Sequence, residues 1–300
     1  MTSSIEKVIK PRARDLGGGF KVRRILPFHA HKMVGPFIFF DHFGPVEYAP
    51  GEGFDVRPHP HIGLATVTFL YDGAIHHKDT VGSDIVIRPG AVNWMTAGKG
   101  IVHSERTPEP ERIAGQSMHG IQTWVALPED KQDIPPDFVH HPSDTLPEFD
   151  LGGANARVLA GKAFGHESPV DYPHPIWYVG ADAPNGASFT IGKDEAIERA
   201  LYVADGKATI DGEVIEAGQM AVLNEGVDVP VSIDPDTRFM LAGGAPMDGP
   251  RKIEWNLVST TQERIDKAKA DWQASIDGEW QDTVFEMPEG ESEYIPLPGS

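Results

Sequence analysis

A chain of 300 residues has room for about two domains and for a core that takes roughly three quarters of its unfolded surface out of water. Its 45 acidic and 26 basic side chains give a formal charge of −19, which opposes binding to phosphate backbones and to anionic membrane surfaces and argues against nucleic acid as a direct partner. It has no cysteine, so disulfides, thiol catalysis and thiolate zinc sites are excluded, and any metal must be held by nitrogen and oxygen.

No apolar run is long enough to cross a membrane, and the first residues lack the apolar stretch of a secretory signal, so a cytoplasmic protein is expected. Lys7, Lys10, Arg12, Arg14, Lys21, Arg23 and Arg24 cluster near the start and read as an ordinary solvated charged segment. His59 and His61 follow at positions i and i+2, with Pro58 and Pro60 on either side of His59. Proline cannot donate to a β-ladder, which places this strand at an edge or a barrel mouth.

The run Leu64 to Tyr71 is rich in β-branched and aromatic residues and ends in the hairpin signal Asp72-Gly73. His76 and His77, just past that turn, are expected to be solvated. Ser83 to Gly90 and Ala91 to Met95 read as two more short strands, and after the glycine-rich stretch Thr96 to Gly100 comes Ile101-Val-His103-Ser-Glu105.

Side chains at i and i+2 of a strand share one face, so His59 with His61 and His103 with Glu105 can each reach one ion. Two such strands facing each other make a metal site. The bland alternative, polar residues at strand ends, does not explain why the spacing occurs twice at the ends of strand-like runs. Three imidazoles and one carboxylate suit Fe(II), Mn, Ni, Cu or Zn better than Ca or Mg. Four protein ligands leave an octahedral ion two open positions, which points to catalysis or ligand exchange rather than a closed structural site.

Prolines 128, 135, 136, 142 and 147 break regular structure, and a domain boundary is placed there, with 1–135 as the first domain and 136–300 as the second. Beyond it, Ala200 to Ala204, Lys207 to Ile210 and Glu213 to Glu216 are short strands joined by Asp-Gly turns, the density expected of a sandwich or jelly-roll barrel. All 13 histidines fall at or before His174, so metal chemistry belongs to the first half. Ser259-Thr-Thr-Gln262 has a capping-box pattern and opens an amphipathic helix over Glu263 to Trp272. After Gly278 an acidic, proline-containing tail is expected to run extended over the surface.

The runs Phe39 to Pro45, His59-Pro-His-Ile-Gly63, Arg88 to Glu105 and Gln122 to Pro128 resemble those of pirins, members of the cupin superfamily. The resemblance covers nearly the whole chain. It implies an all-β bicupin with two jelly-roll β-barrel domains and a short C-terminal helix. In such a protein the first cupin holds iron, as Fe(II), through three histidines and a glutamate, here His59, His61, His103 and Glu105. The second carries no metal ligands. Many cupins place a metal-binding Glu where this chain has Ala65; in pirins the carboxylate comes from the position of Glu105.

The resemblance further implies quercetin dioxygenase activity of the 2,4 type, with a flavonol bound through its 3-hydroxyl, Glu105 accepting the hydroxyl proton, and O2 as co-substrate. The alternative it carries is a non-enzymatic, iron-dependent redox sensor or regulator acting through a protein partner. His42, His119, Trp94, Met95 and Trp124 carry weaker signals, and for His42 and the tryptophans a core role is at least as good a reading.

Overall fold

The computed structural model describes residues 3–15, 20–29, 31–281 and 283–299. Two compact units emerge, and neither is a contiguous half of the chain. One comprises residues 15–21, 43–140 and 248–300, and the other residues 1–14, 22–42 and 141–247.

In the first unit a four-stranded sheet runs in the order Asp55–His61, Ile101–Arg106, Ile75–Asp79, Asp84–Ile87. A second sheet is ordered Asp137–His141, Val92–Thr96, Leu64–Asp72, Gln116–Ala126, followed by the later residues of Phe37–Tyr48. The strands expected around the histidine pairs therefore form, and all pair antiparallel. At the end of Asp55–His61 the chain reverses through Gly63, whose φ of +70° suits glycine and whose Cα faces the Val258 carbonyl too closely for any side chain.

The second unit is built the same way. Its large sheet runs Ile5–Ile9, Met220–Leu223, Glu198–Asp205, Thr237–Gly244, Ile176–Ala183, Ala154–Ala163, Glu148–Leu151, and its smaller one runs Ala187–Ile191, Val229–Ile233, Lys207–Ile210, Glu213–Glu216. Trp177, Leu201, Val203, Ile210, Phe239 and Leu241 belong to its apolar core. Both units are cupins, and the fold is the all-β bicupin the resemblance implied.

The expected division into 1–135 and 136–300 differs from this arrangement in two respects. The change between units falls at 140/141, inside the proline-rich segment but beyond strand Asp137–His141. The ends are also exchanged: Ile5–Ile9 pairs with Met220–Leu223 as the edge strand of the second cupin, and residues 248–300 return to the first. An edge strand satisfies its backbone wherever a free ladder is offered, and local sequence does not say which sheet offers it.

The helix is Gln262–Asp277, capped by Thr261, whose hydroxyl accepts from Arg264 N at 3.4 Å. Ser259 does not cap it, because its hydroxyl donates to Gln132 Oε1 at 3.1 Å and accepts from Thr261 N at 3.2 Å. The helix packs Ile265, Ala268 and Trp272 on Ile62, Val102 and Phe285. Among the described residues no helix is long and apolar enough to cross a membrane. Of the N-terminal basic cluster, Lys7, Lys10, Arg12, Arg14 and Lys21 are exposed, as expected, whereas Arg24 grips Asp41 through two hydrogen bonds of 2.9 and 2.8 Å and Arg23 lies 2.9 Å from His42 Nε2.

Candidate metal centre

Strands Asp55–His61 and Ile101–Arg106 lie side by side with His103 opposite His59. The i, i+2 spacing puts both members of each pair on one face, and the ladder brings His103 to His59 and His61, while Glu105 groups with His103 and His77 rather than with the first pair. The rings of His59 and His103 are 4.5 Å apart, those of His59 and His61 4.9 Å, and those of His61 and His103 5.0 Å. Each offers a ring nitrogen within 4.8 Å of the others. Between His103 and Glu105 the register slips by a bulge, so Glu105 pairs with Val56 on one side and with His77 of strand Ile75–Asp79 on the other.

Backbone carbonyls set the tautomers. His59 Nδ1 donates to Arg57 O at 2.8 Å and His61 Nδ1 to Asn256 O at 2.9 Å. A carbonyl only accepts, so in both rings the proton sits on Nδ1 and Nε2 is left as a lone pair. The Nε2 atoms of His61 and His103 are 3.1 Å apart. Two nitrogens bound at about 2.1 Å and at right angles to one ion take a separation of about 3.0 Å, so the donors fit a metal. His103 Nδ1 is buried with no hydrogen-bond partner among the described residues.

Burial disfavours charge on all three rings. It pushes His59 down to about 4 and holds His61 and His103 well below the usual histidine value, with the neighbouring imidazoles adding to the depression of His61 and His103. Neutral imidazole is the form a metal binds. Glu105 is half-buried as a residue but its carboxyl is withdrawn from water, and its pKa is raised by that desolvation against the opposing influence of His77 and Thr68. The Thr68 hydroxyl donates to Gln122 Oε1 at 2.8 Å and lies 3.5 Å from Glu105 Oε1.

His77 is the residue that sequence reasoning missed. Expected to be solvated, it is buried, its ring stacks on Phe138 at 4.4 Å, and its Nε2 bonds Asp79 Oδ2 at 2.9 Å. It forms a second group of potential metal donors with His103 and Glu105. Asp79 also accepts from the backbone of Val81 and Ser83 at 3.0 Å each. Burial alone would raise its pKa, but the bonds from His77 and Ser83 outweigh it and hold the carboxyl below its ordinary value. The available signal was His77 and Asp79 at i, i+2, the same spacing as the other pairs. His76, by contrast, is half-exposed and bonds Asp84 at 2.5 Å.

The weaker candidates sort as follows. Trp94 and Met95 are core residues, and Trp124 is buried with its ring edge-on to His61 at 5.2 Å. His119 is buried beside Tyr71, with Asp72 at 3.9 Å. His42 belongs to the other unit, buried against the Tyr202 hydroxyl at 2.5 Å. Ala65 is fully buried in the strand after the first histidine pair.

The C-terminal segment braces the histidine-bearing strands. Asn256 supplies the carbonyl that orients His61. Glu291 takes a hydrogen bond from Ser104 at 2.7 Å and two from Arg106 at 2.9 and 2.7 Å, and Ile295 N donates to Pro58 O at 2.8 Å. Among the described residues the tail forms no helix or strand; rather than only running over the surface it buries Phe285 against Ile62, Val102 and Trp272, and it is pinned to the strands on either side of the histidines.

Comparisons with known proteins agree with this architecture. Residues 19–125 match the Pirin family and residues 178–276 match the pirin C-terminal cupin domain. A pirin-like protein of Caulobacter vibrioides is 47% identical, over 98% of this chain and 99% of its own length. A Pseudomonas aeruginosa protein with the provisional name quercetin 2,3-dioxygenase is 37% identical, over 88% of this chain and 82% of its own. A crystal structure of quercetin 2,3-dioxygenase from Acinetobacter baumannii gives a TM-score of 0.89 at 33% identity, covering 97% of this chain and 94% of that one. Two cupin units, a histidine-rich candidate centre in the first and family matches over both place this chain in the pirin family.

Proposed function

We propose that the protein is a metal-dependent flavonol dioxygenase, with His59, His61, His103 and Glu105 as the ligands of one Fe(II) ion; Ni, Mn, Cu and Zn suit the same donors. The observation that carries this reading is the convergence of three neutral imidazoles whose Nδ1 or burial leaves nitrogen lone pairs facing one another, with a withdrawn carboxyl alongside. The Acinetobacter baumannii structure, named a quercetin 2,3-dioxygenase, supports the substrate class. The reaction converts flavonol and O2 to a ring-opened ester and carbon monoxide, with both oxygen atoms entering the ester at C2 and C4 and C3 leaving as CO.

A bound redox-active ion supplies Lewis acidity toward the 3-hydroxyl oxygen and one-electron chemistry toward O2. The remaining work falls to the chain. Glu105, made more basic by desolvation, takes the 3-hydroxyl proton onto its carboxylate. Thr68, held by Gln122, lies against Glu105 Oε1 and limits where that carboxylate can swing. Trp124 packs edge-on to His61 and keeps water from that side of the ring.

The test is O2 uptake and loss of quercetin absorbance by Fe(II)-loaded protein, run beside His61→Ala. Stoichiometric uptake that vanishes in the variant supports the reading. Metal-bound protein that consumes no O2 with quercetin in excess overturns it and favours the regulator that acts through a protein partner.

A further inference from the structure

Thr68, Asn93 and Gln122 form one row across three adjacent strands of the second sheet of the first cupin, with Asn93 opposite Thr68 and Thr68 opposite Gln122. Residues directly opposite share a face, and Thr68 shows which face this is, because its hydroxyl lies 3.5 Å from Glu105. The neighbouring strand Asp137–His141 sends Phe138 onto the His77 ring and His140 onto Asn93, two residues apart and therefore on the same side.

The Asn93 amide is fixed. His140 Nδ1 lies 2.6 Å from Asn93 Oδ1, and since an amide oxygen only accepts, the imidazole donates to it. The other end, Nδ2, is buried and has no hydrogen-bond partner among the described residues, and the residue as a whole is 2% exposed. Native interiors rarely keep a buried amide donor without an acceptor. An acceptor is therefore missing on the face that carries Glu105.

We propose that Asn93 is a substrate-binding residue whose Nδ2–H donates to a carbonyl oxygen next to the reacting hydroxyl, so that the site selects α-hydroxyenones. This rests on the flavonol reading above. In a flavonol the 3-hydroxyl and 4-carbonyl sit on adjacent carbons. With the hydroxyl toward Glu105, the carbonyl lies to one side of it, where Thr68 separates Glu105 from Asn93 by a single cross-strand step. His140 acts through Asn93 as a positioning residue.

The experiment is an anaerobic titration of metal-loaded protein with quercetin and, in parallel, with catechin, which keeps the hydroxyls of quercetin and lacks the 4-carbonyl. The unmodified protein should prefer quercetin. Asn93→Ala should weaken quercetin by about tenfold, the order expected for one hydrogen bond to a desolvated partner, and leave catechin unchanged, so that the preference collapses. His140→Ala, at a half-buried position, should give a smaller loss of the same preference.

Unchanged quercetin affinity in Asn93→Ala, or an equal loss for both ligands, overturns the proposal and leaves the amide to a trapped water or to a packing role. If Asn93→Ala does not fold, His140→Ala decides, and an unaltered ligand ratio there is equally fatal. Quercetin binding without O2 consumption overturns the dioxygenase and leaves the amide contact readable. No quercetin binding by the unmodified protein overturns both.

Discussion

His77 lies directly across the ladder from Glu105, and its ring is clamped on one edge by Asp79 and on one face by Phe138. The carboxylate thus faces an immobilised imidazole that favours its ionised form. Partners that orient and charge a metal ligand are commonly worth 10- to 100-fold in metal affinity. We expect His77→Gln to weaken binding by about that factor with the fold intact, measured by competition with a chromophoric chelator. Affinity equal to that of the unmodified protein would reduce His77 to a packing residue.

His61→Ala removes one donor, and with it the hydrogen bond to the Asn256 carbonyl. Metal retained after dialysis should drop from about one equivalent to background, as read by elemental analysis, while the circular dichroism of the β-sheets stays the same.

Glu105→Gln replaces a desolvated carboxyl with a neutral group of similar shape. Keeping a carboxylate ionised in such a place costs stability, so the chelator-treated variant should melt higher, by about 1 kcal/mol in unfolding free energy. Quercetin turnover should fall about 10²- to 10³-fold with the loss of the base. A variant that melts lower and turns over normally would contradict both expectations.

The metal-free protein should lose stability as the pH falls from about 6.5 toward 4. Below 6.5 the unfolded chain protonates His59, His61 and His103, whereas burial makes the folded chain resist this, holding His59 down to about 4 and the other two well below their ordinary value. More protons on the unfolded state means that stability rises with pH across this window, on the order of 3 kcal/mol for His59 alone. Glu105 acts in the opposite sense, because its raised pKa gives stability at low pH that is lost as the pH climbs through the folded value. Three rings outweigh one carboxyl. Thermal melts of chelator-treated protein between pH 4 and 7 should show the rise, and His59→Gln should flatten it.

Trp272 is fully buried among Phe285, Trp280 and Tyr294, and its indole N–H donates to Ile295 O at 3.2 Å. Trp272→Ala should cost about 3–5 kcal/mol and expose residues 283–299 to protease, seen as an early cleavage product in a limited digest.

The clustering of His59, His61 and His103 was legible because the period of two repeats on two strands, and side chains at i and i+2 of a strand share one face. His77 obeys the same period but was hidden, since what buries it is Phe138, which arrives from a strand within a segment whose prolines read as a boundary. The barrels were visible in their turn-punctuated strands. The exchange of chain ends was not, because Ile5–Ile9 carries no mark that distinguishes the edge at Met220–Leu223 from any other. The helix cap moved by two residues because Ser259 was claimed by Gln132, 127 positions away in sequence.

The dependence of His61 on Asn256, and of Pro58 on Ile295, sets an order of events during synthesis. The histidines emerge from the ribosome early, but the carbonyl that fixes one ring and the strap that braces its strand are made in the last fifth of the chain. On the proposed reading, a chain not yet made as far as Asn256 shows a histidine cluster in which His61 lacks its orienting carbonyl. A chain that stops short of these residues carries all four candidate donors and lacks the contacts that aim His61 and brace its strand.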